Sequence, residues 1–83
     1  MENTEKMKEA LAAVDSYKYH MADYMLINCY EQAATEANCV SEQYEELVEE
    51  CKYLNLNDEA DNYRRKANKY KKLADLLSDL DLS

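Results

Sequence analysis

The chain contains no glycine, no proline, no phenylalanine and no tryptophan. Glycine-cradled phosphate loops, nucleophile elbows and dinucleotide-binding turns are therefore excluded, because each needs Gly where the backbone turns most tightly. Two-residue hairpins of the Asn-Gly kind are excluded for the same reason. Positive charge is scarce: 10 Lys and Arg stand against 18 Asp and Glu, giving a net charge of −8. That balance keeps a chain soluble and repels nucleic acid and anionic membranes as a whole, so direct nucleic-acid binding is not expected and a protein partner with a basic surface is. The longest uncharged run, 24–30, is far too short to cross a membrane. The start, Met1-Glu2-Asn3-Thr4-Glu5, lacks the basic opening and apolar run of a signal peptide. Three cysteines, Cys29, Cys39 and Cys51, are an odd number at wide spacing, which reads as packed, reduced thiols rather than a disulfide framework. A cytoplasmic protein is expected, the cytoplasm of an infected host cell included.

What is present is helical patterning. With 83 residues, the chain forms one domain over 1–83. Surface scaling buries about 64% of such a chain, a marginal core that association would help. Three helices are predicted, over about 4–37, 40–54 and 58–80. Thr4 caps the first, with Glu5 near the positive end of its dipole. Met7, Ala10, Leu11, Val14, Tyr17, Met21 and Tyr24 follow at spacings of three and four. From Met21 to Ala34 the apolar residues run nearly all round, which predicts the buried central post of a bundle. Val40, Tyr44, Leu47, Val48, Cys51 and Leu54 stripe the second helix, with Ser41 as its expected cap. Ala60, Tyr63, Ala67, Tyr70, Ala74 and Leu77 stripe the third, capped by Asn57 or Asp58. The polar joint 55–58 suits antiparallel neighbours.

The predicted fold is all-α: a three-helix bundle with a long first helix followed by an antiparallel helical hairpin. The first helix would be about 50 Å long and the second about 22 Å. The stretch 7–17 then lacks cover from its own chain. Either the helix bends near Asp15-Ser16 or a second chain covers it, and with no Pro or Gly to force a bend a homodimer is favoured.

Catalytic chemistry has little to work with. The one histidine, His20, has Asp23 at i+3, and a zinc site wants three or four ligands. Neither H-E-x-x-H nor E-x-x-H occurs, so no di-iron or metalloprotease set is built. No catalytic residue, metal ligand or cofactor is assigned, and the protein is not expected to be an enzyme. Eight tyrosines carry all the aromatic content. Tyr17, Tyr24, Tyr30, Tyr44, Tyr53, Tyr63 and Tyr70 lie on or beside helix faces, where an amphipathic ring suits core margins and interfaces.

Charge is segregated along the chain. Residues 41–57 set Glu42, Glu45, Glu46, Glu49 and Glu50 against Lys52, whereas residues 58–72 set Arg64, Arg65, Lys66, Lys69, Lys71 and Lys72 against three acids. The plainest reading is that the two helices face each other or that each carries a solvated face. A sharper one takes Glu42, Glu45, Glu46 and Glu49, with Tyr53, as a partner-binding surface. Carboxylates about 5–6 Å apart on a helix roughly imitate a row of phosphates, so such a surface would block a nucleic-acid groove on a larger enzyme. Phage-encoded anti-defence (anti-CRISPR-like) inhibitors share this size and acidity, an analogy of class alone. A third reading takes Arg64, Arg65, Lys69 and Lys72 as a phosphate or RNA site.

Two families show through in parts of the chain. Tyr44, Leu47, Val48, Cys51, Ala60 and Ala67 resemble the large and small positions of one tetratricopeptide hairpin. Val48 stands at that repeat's glycine position, the closing proline is absent, and one unit replaces the three an array needs. The stretch 63–77 is similar to the last helix of small three-helix trafficking domains of the MIT type, from which the predicted long first helix departs.

Overall fold

The structure is a computed structural model that describes residues 4–82. It has three helices of similar length, α1 (Glu5–Leu26), α2 (Tyr30–Tyr53) and α3 (Asn57–Leu82). The all-helical fold and the α2–α3 hairpin agree with the sequence; the long first helix does not. It breaks at Ile27-Asn28-Cys29, and the segment 30–37 belongs to α2.

Asparagine makes both turns. Asn28 and Asn55 take φ values of 60° and 61°, the left-handed region that Gly would otherwise fill and that Asn tolerates best among other residues. Around Asn28, the Cys29 N–H donates to the Tyr24 carbonyl (2.8 Å) and the Asn28 N–H to the Met25 carbonyl (3.1 Å). Around Asn55 the pattern repeats: Leu56 N–H to the Cys51 carbonyl (2.8 Å), Asn55 N–H to the Lys52 carbonyl (3.1 Å). Each is a Schellman motif, which satisfies the last carbonyls of the helix and stops it. The Tyr30 hydroxyl adds a 2.9 Å bond to the Asn28 side-chain oxygen.

Because α2 starts at Tyr30, it runs back along the length of α1. Met7, Ala10 and Val14 are buried within their own chain, so no second chain is needed over 7–17. α1 also passes Asp15-Ser16 without a break. Thr4 caps α1 as expected, its hydroxyl oxygen accepting from the Met7 N–H at 3.2 Å. The same hydroxyl donates to Glu50 of α2 at 3.3 Å, and Lys6 pairs with that carboxylate at 3.9 Å.

The central element is α2, not the 21–34 stretch. α1 and α3 both pack on it, and among the described residues their backbones stay more than 8 Å apart. The Cα trace measures 43 × 19 × 12 Å, so the helices form a shallow open layer with α2 as its spine. Met25, Leu26 and Ile27, expected in the core, are 38%, 81% and 66% exposed. Ser41, expected as a cap, lies inside α2, is buried, and donates to the Ala67 carbonyl of α3 at 2.8 Å. In antiparallel helices that bond sets Val48 beside Ala60 and Ala34 beside Ala74, a small-residue seam repeating every seven residues. Cys39, which falls between the first two predicted helices, is mid-α2, and Cys29, within the predicted long first helix, sits in the turn between α1 and α2. Asn57 and Asp58, expected to cap the third helix, already lie within α3.

Substitutions at two positions test this account. Asn28→Gly should keep or raise stability, whereas Asn28→Ala should cost about 1 kcal/mol through the left-handed backbone. Ala67→Leu should cost more, about 1–3 kcal/mol from overpacking, because Ala67 is buried on the α2–α3 seam. Urea unfolding followed by circular dichroism reads both.

Candidate partner-binding groove

The hairpin register places the acidic stripe of α2 beside α3. Glu42, Glu45, Glu46 and Glu49 are all exposed, and all line one open groove of about 570 Å³. Val48 and Ala67 lie at its base, Arg64 and Asn68 come from α3, and Lys52 closes one end. The cations do not cancel the stripe across the groove. Arg64 Nη1 pairs with Asp61 of its own helix at 3.2 Å, and Lys52 pairs with Glu49 one turn away at 3.7 Å. Glu42, Glu45 and Glu46 make no ion pair with any described residue. Glu50, on the other flank of α2, is the acid used internally. Tyr53 is 83% exposed at the end of α2 and does not line the groove.

The basic residues of α3 are spread over different surfaces. Arg64 belongs to the acidic groove, whereas Lys69 and Lys72 line a second groove, of about 320 Å³, with Met21, Tyr70, Leu73 and Leu76. Arg65 is exposed and lines neither.

A cluster that the spacing of the tyrosines did not reveal fills the space between α1 and α3. The Tyr44 ring, buried on α2, stacks on Tyr63 with centroids 5.9 Å apart and meets Tyr70 at the same distance in a tilted contact. Lys18 Nζ, from α1, lies 5.6 Å from the Tyr44 centroid and 5.3 Å from that of Tyr70. Lys66 Nζ lies 5.8 Å from Tyr44 and 5.7 Å from Tyr63. Two ammonium groups thus alternate with three ring faces, in favourable cation–π geometry. Hydrogen bonding to the Tyr44 side chain holds the Lys18 ammonium above its ordinary pKa, against the opposing effect of burial. Burial pushes the Tyr63 hydroxyl up. The periodicity places Tyr44, Tyr63 and Tyr70 on their stripes, but the entry of a lysine from a third helix is a tertiary fact.

No described group of three or more His, Cys, Asp and Glu residues gathers as a metal site would. His20 is exposed, with its ring edge-on to Tyr19 at 6.0 Å. Burial, reinforced by nearby glutamates, raises the thiol pKa of Cys39 and of Cys51, the opposite of what an activated nucleophile needs. No helix of the described chain is long and apolar enough to cross a membrane. No protein-family model, curated protein or solved structure matches the chain significantly.

The aromatic cluster has an alkaline signature. Lys18 is raised above 10.5, so its contribution is complete below that value and fades as pH climbs through its folded pKa. Tyr63 is raised above 10.0, so the folded state disfavours its ionised form and loses stability above that pH. Both act in one direction. Melting temperatures should hold up to about pH 10 as far as these two groups are concerned and decline above it, and Lys18→Met should make the decline shallower.

Proposed function

We propose that the protein is a non-enzymatic binding protein that receives a basic element of a protein partner in the groove between α2 and α3. The observation that carries this reading is that Glu42, Glu45, Glu46 and Glu49 share one open groove in which Glu49 alone is paired, with Lys52, while Arg64 pairs with Asp61 of its own helix. Uncompensated carboxylates in a concavity favour an inserted Arg or Lys side chain more than a solvated acidic helix would, because the walls reduce solvent screening. Val48 and Ala67 offer apolar contact for the stem of such a side chain. The blocking of a nucleic-acid groove on a larger enzyme is the narrower form of the same reading, with the glutamates standing where phosphates would bind.

The test must separate the groove from net charge. An arginine-bearing helical peptide serves as probe, followed by fluorescence anisotropy at low and high salt. Charge reversal at Glu45 and Glu49 should weaken binding by about tenfold or more, whereas reversal at the exposed Glu5 and Glu9 of α1 should change it little. Equal losses from both pairs would show that the peptide responds to overall charge and would sink the groove reading. Competition by duplex DNA for a protein partner would single out the narrower form.

A further inference from the structure

Exposed apolar side chains gather at one end of the molecule. α1 and α3 run in the same direction on either side of α2, so their C-termini share an end. There Leu76, Leu80 and Leu82 are 60%, 52% and 85% exposed, close to the exposed close of α1 at Leu26 and Ile27. The second groove opens on this region: Leu73 and Leu76 line it beside Met21 and Tyr70, and Lys69 and Lys72 contribute the positive charge.

The complement of this surface is on α3 itself. Leu73, Leu76 and Leu80 recur at three- and four-residue spacing, on one face of the helix. Basic residues precede the stripe through Lys72, and acids follow at Asp75, Asp79 and Asp81. A helix whose charge reverses along an apolar stripe matches itself when turned end for end, because each basic half then meets an acidic half. A two-fold axis near Leu76 sets Leu73 opposite Leu80 of a second copy. The same operation brings Lys72 of each copy to the acidic end around Asp81 of the other, and it does so twice. A parallel arrangement would set lysine against lysine.

We propose that the chain forms a two-fold homodimer in which the C-terminal halves of the two α3 helices pack antiparallel. The Leu76–Leu80 edge of each copy covers the mouth of the other's α1–α3 groove. This contact lies away from the glutamate groove and stands independently of the function proposed for it. It also differs from the dimer that the sequence suggested, since the stretch 7–17 is already covered.

Sedimentation equilibrium of the full chain, over a range of concentrations and at low and high salt, tests the proposal. The mass should rise from 9.7 kDa toward twice that value. Leu76→Glu should hold it at the monomer with the helical circular dichroism unchanged, because Leu76 is already largely exposed in the single chain. Lys72→Glu and Asp81→Lys should each weaken association by about tenfold, and the two together should restore it. Charge reversal at Glu45 and Glu49 should leave the mass unaltered. A chain that stays monomeric up to about millimolar concentration would overturn the proposal. So would a dimer indifferent to Leu76→Glu, or a monomer whose groove takes an acidic amphipathic peptide instead.

Discussion

Ser41 and Ala67 determine how closely α2 and α3 approach. A serine hydroxyl reaches a carbonyl of the neighbouring helix at 2.8 Å only where both helices carry small side chains at the crossing. Ala60, Ala67 and Ala74 supply that on α3 at intervals of seven, facing Val48, Ser41 and Ala34 on α2. The bond also fixes the register. A slide of one turn would bring Tyr63 or Tyr70 onto the seam and leave the buried hydroxyl without its acceptor, a cost of about 1–3 kcal/mol. Everything positioned by α3 depends on this register: Arg64 and Asn68 beside the glutamates, Tyr63 and Tyr70 beside Tyr44, and Leu73 at the mouth of the second groove.

Much of this architecture is legible in the sequence, and the parts that are not have physical reasons. The stripes of α2 and α3, the Thr4 cap and the turn at Asn55 follow from periodicity and local chemistry. The break at Asn28 does not stand out, because without Gly or Pro the chain carries no conventional stop signal. Its trace is a shared pattern: Ile27-Asn28-Cys29 and Leu54-Asn55-Leu56 both place Asn between apolar residues at the end of a helix. Once the break is missed, other inferences fail in sequence. The continuous apolar surface of 21–34 becomes a buried post, and Met7 to Tyr17 lose their cover. Ser41 illustrates a different ambiguity. A serine followed by glutamates fits a helix start, but the same small hydroxyl fits a close helix crossing, and only the contact with α3 decides between them.

The glutamates were legible as a stripe, not as a groove. Helical spacing puts Glu42, Glu45, Glu46 and Glu49 on adjacent outer positions, but it says nothing about what stands opposite. The plain expectation is either cancellation by the basic helix or a solvated acidic face, and the exposed glutamates fit the second better. The structure instead turns Arg64 to Asp61 and draws Lys66 toward the tyrosines, so little of the basic block is spent on the acidic wall. Local pairing at i, i+3 wins here because it orders few side-chain bonds, whereas reaching across an open groove would immobilise a long side chain in high-dielectric solvent.

The two lysines of the aromatic cluster explain why the open layer of helices does not expose more apolar surface than it does. Three tyrosine rings beside two helices whose Cα atoms stay more than 8 Å apart would offer a flat, sticky concavity. Lys18 and Lys66 occupy those ring faces, with their stems filling space and their ammonium groups near water. Toward the C-terminal end of α3 the arrangement runs out. No lysine follows Lys72 in the given sequence, the residues that succeed it are mostly leucine and aspartate, and beyond the lysine-lined groove the rings give way to aliphatic edges. The large exposed aliphatic side chains of this chain thus gather at the end where its own supply of cations stops, whereas the exposed Tyr19 and Tyr53 lie elsewhere. The acids that follow make that end complementary to the lysine-bearing groove mouth beside it, and this complementarity is the physical basis of the proposed two-fold contact.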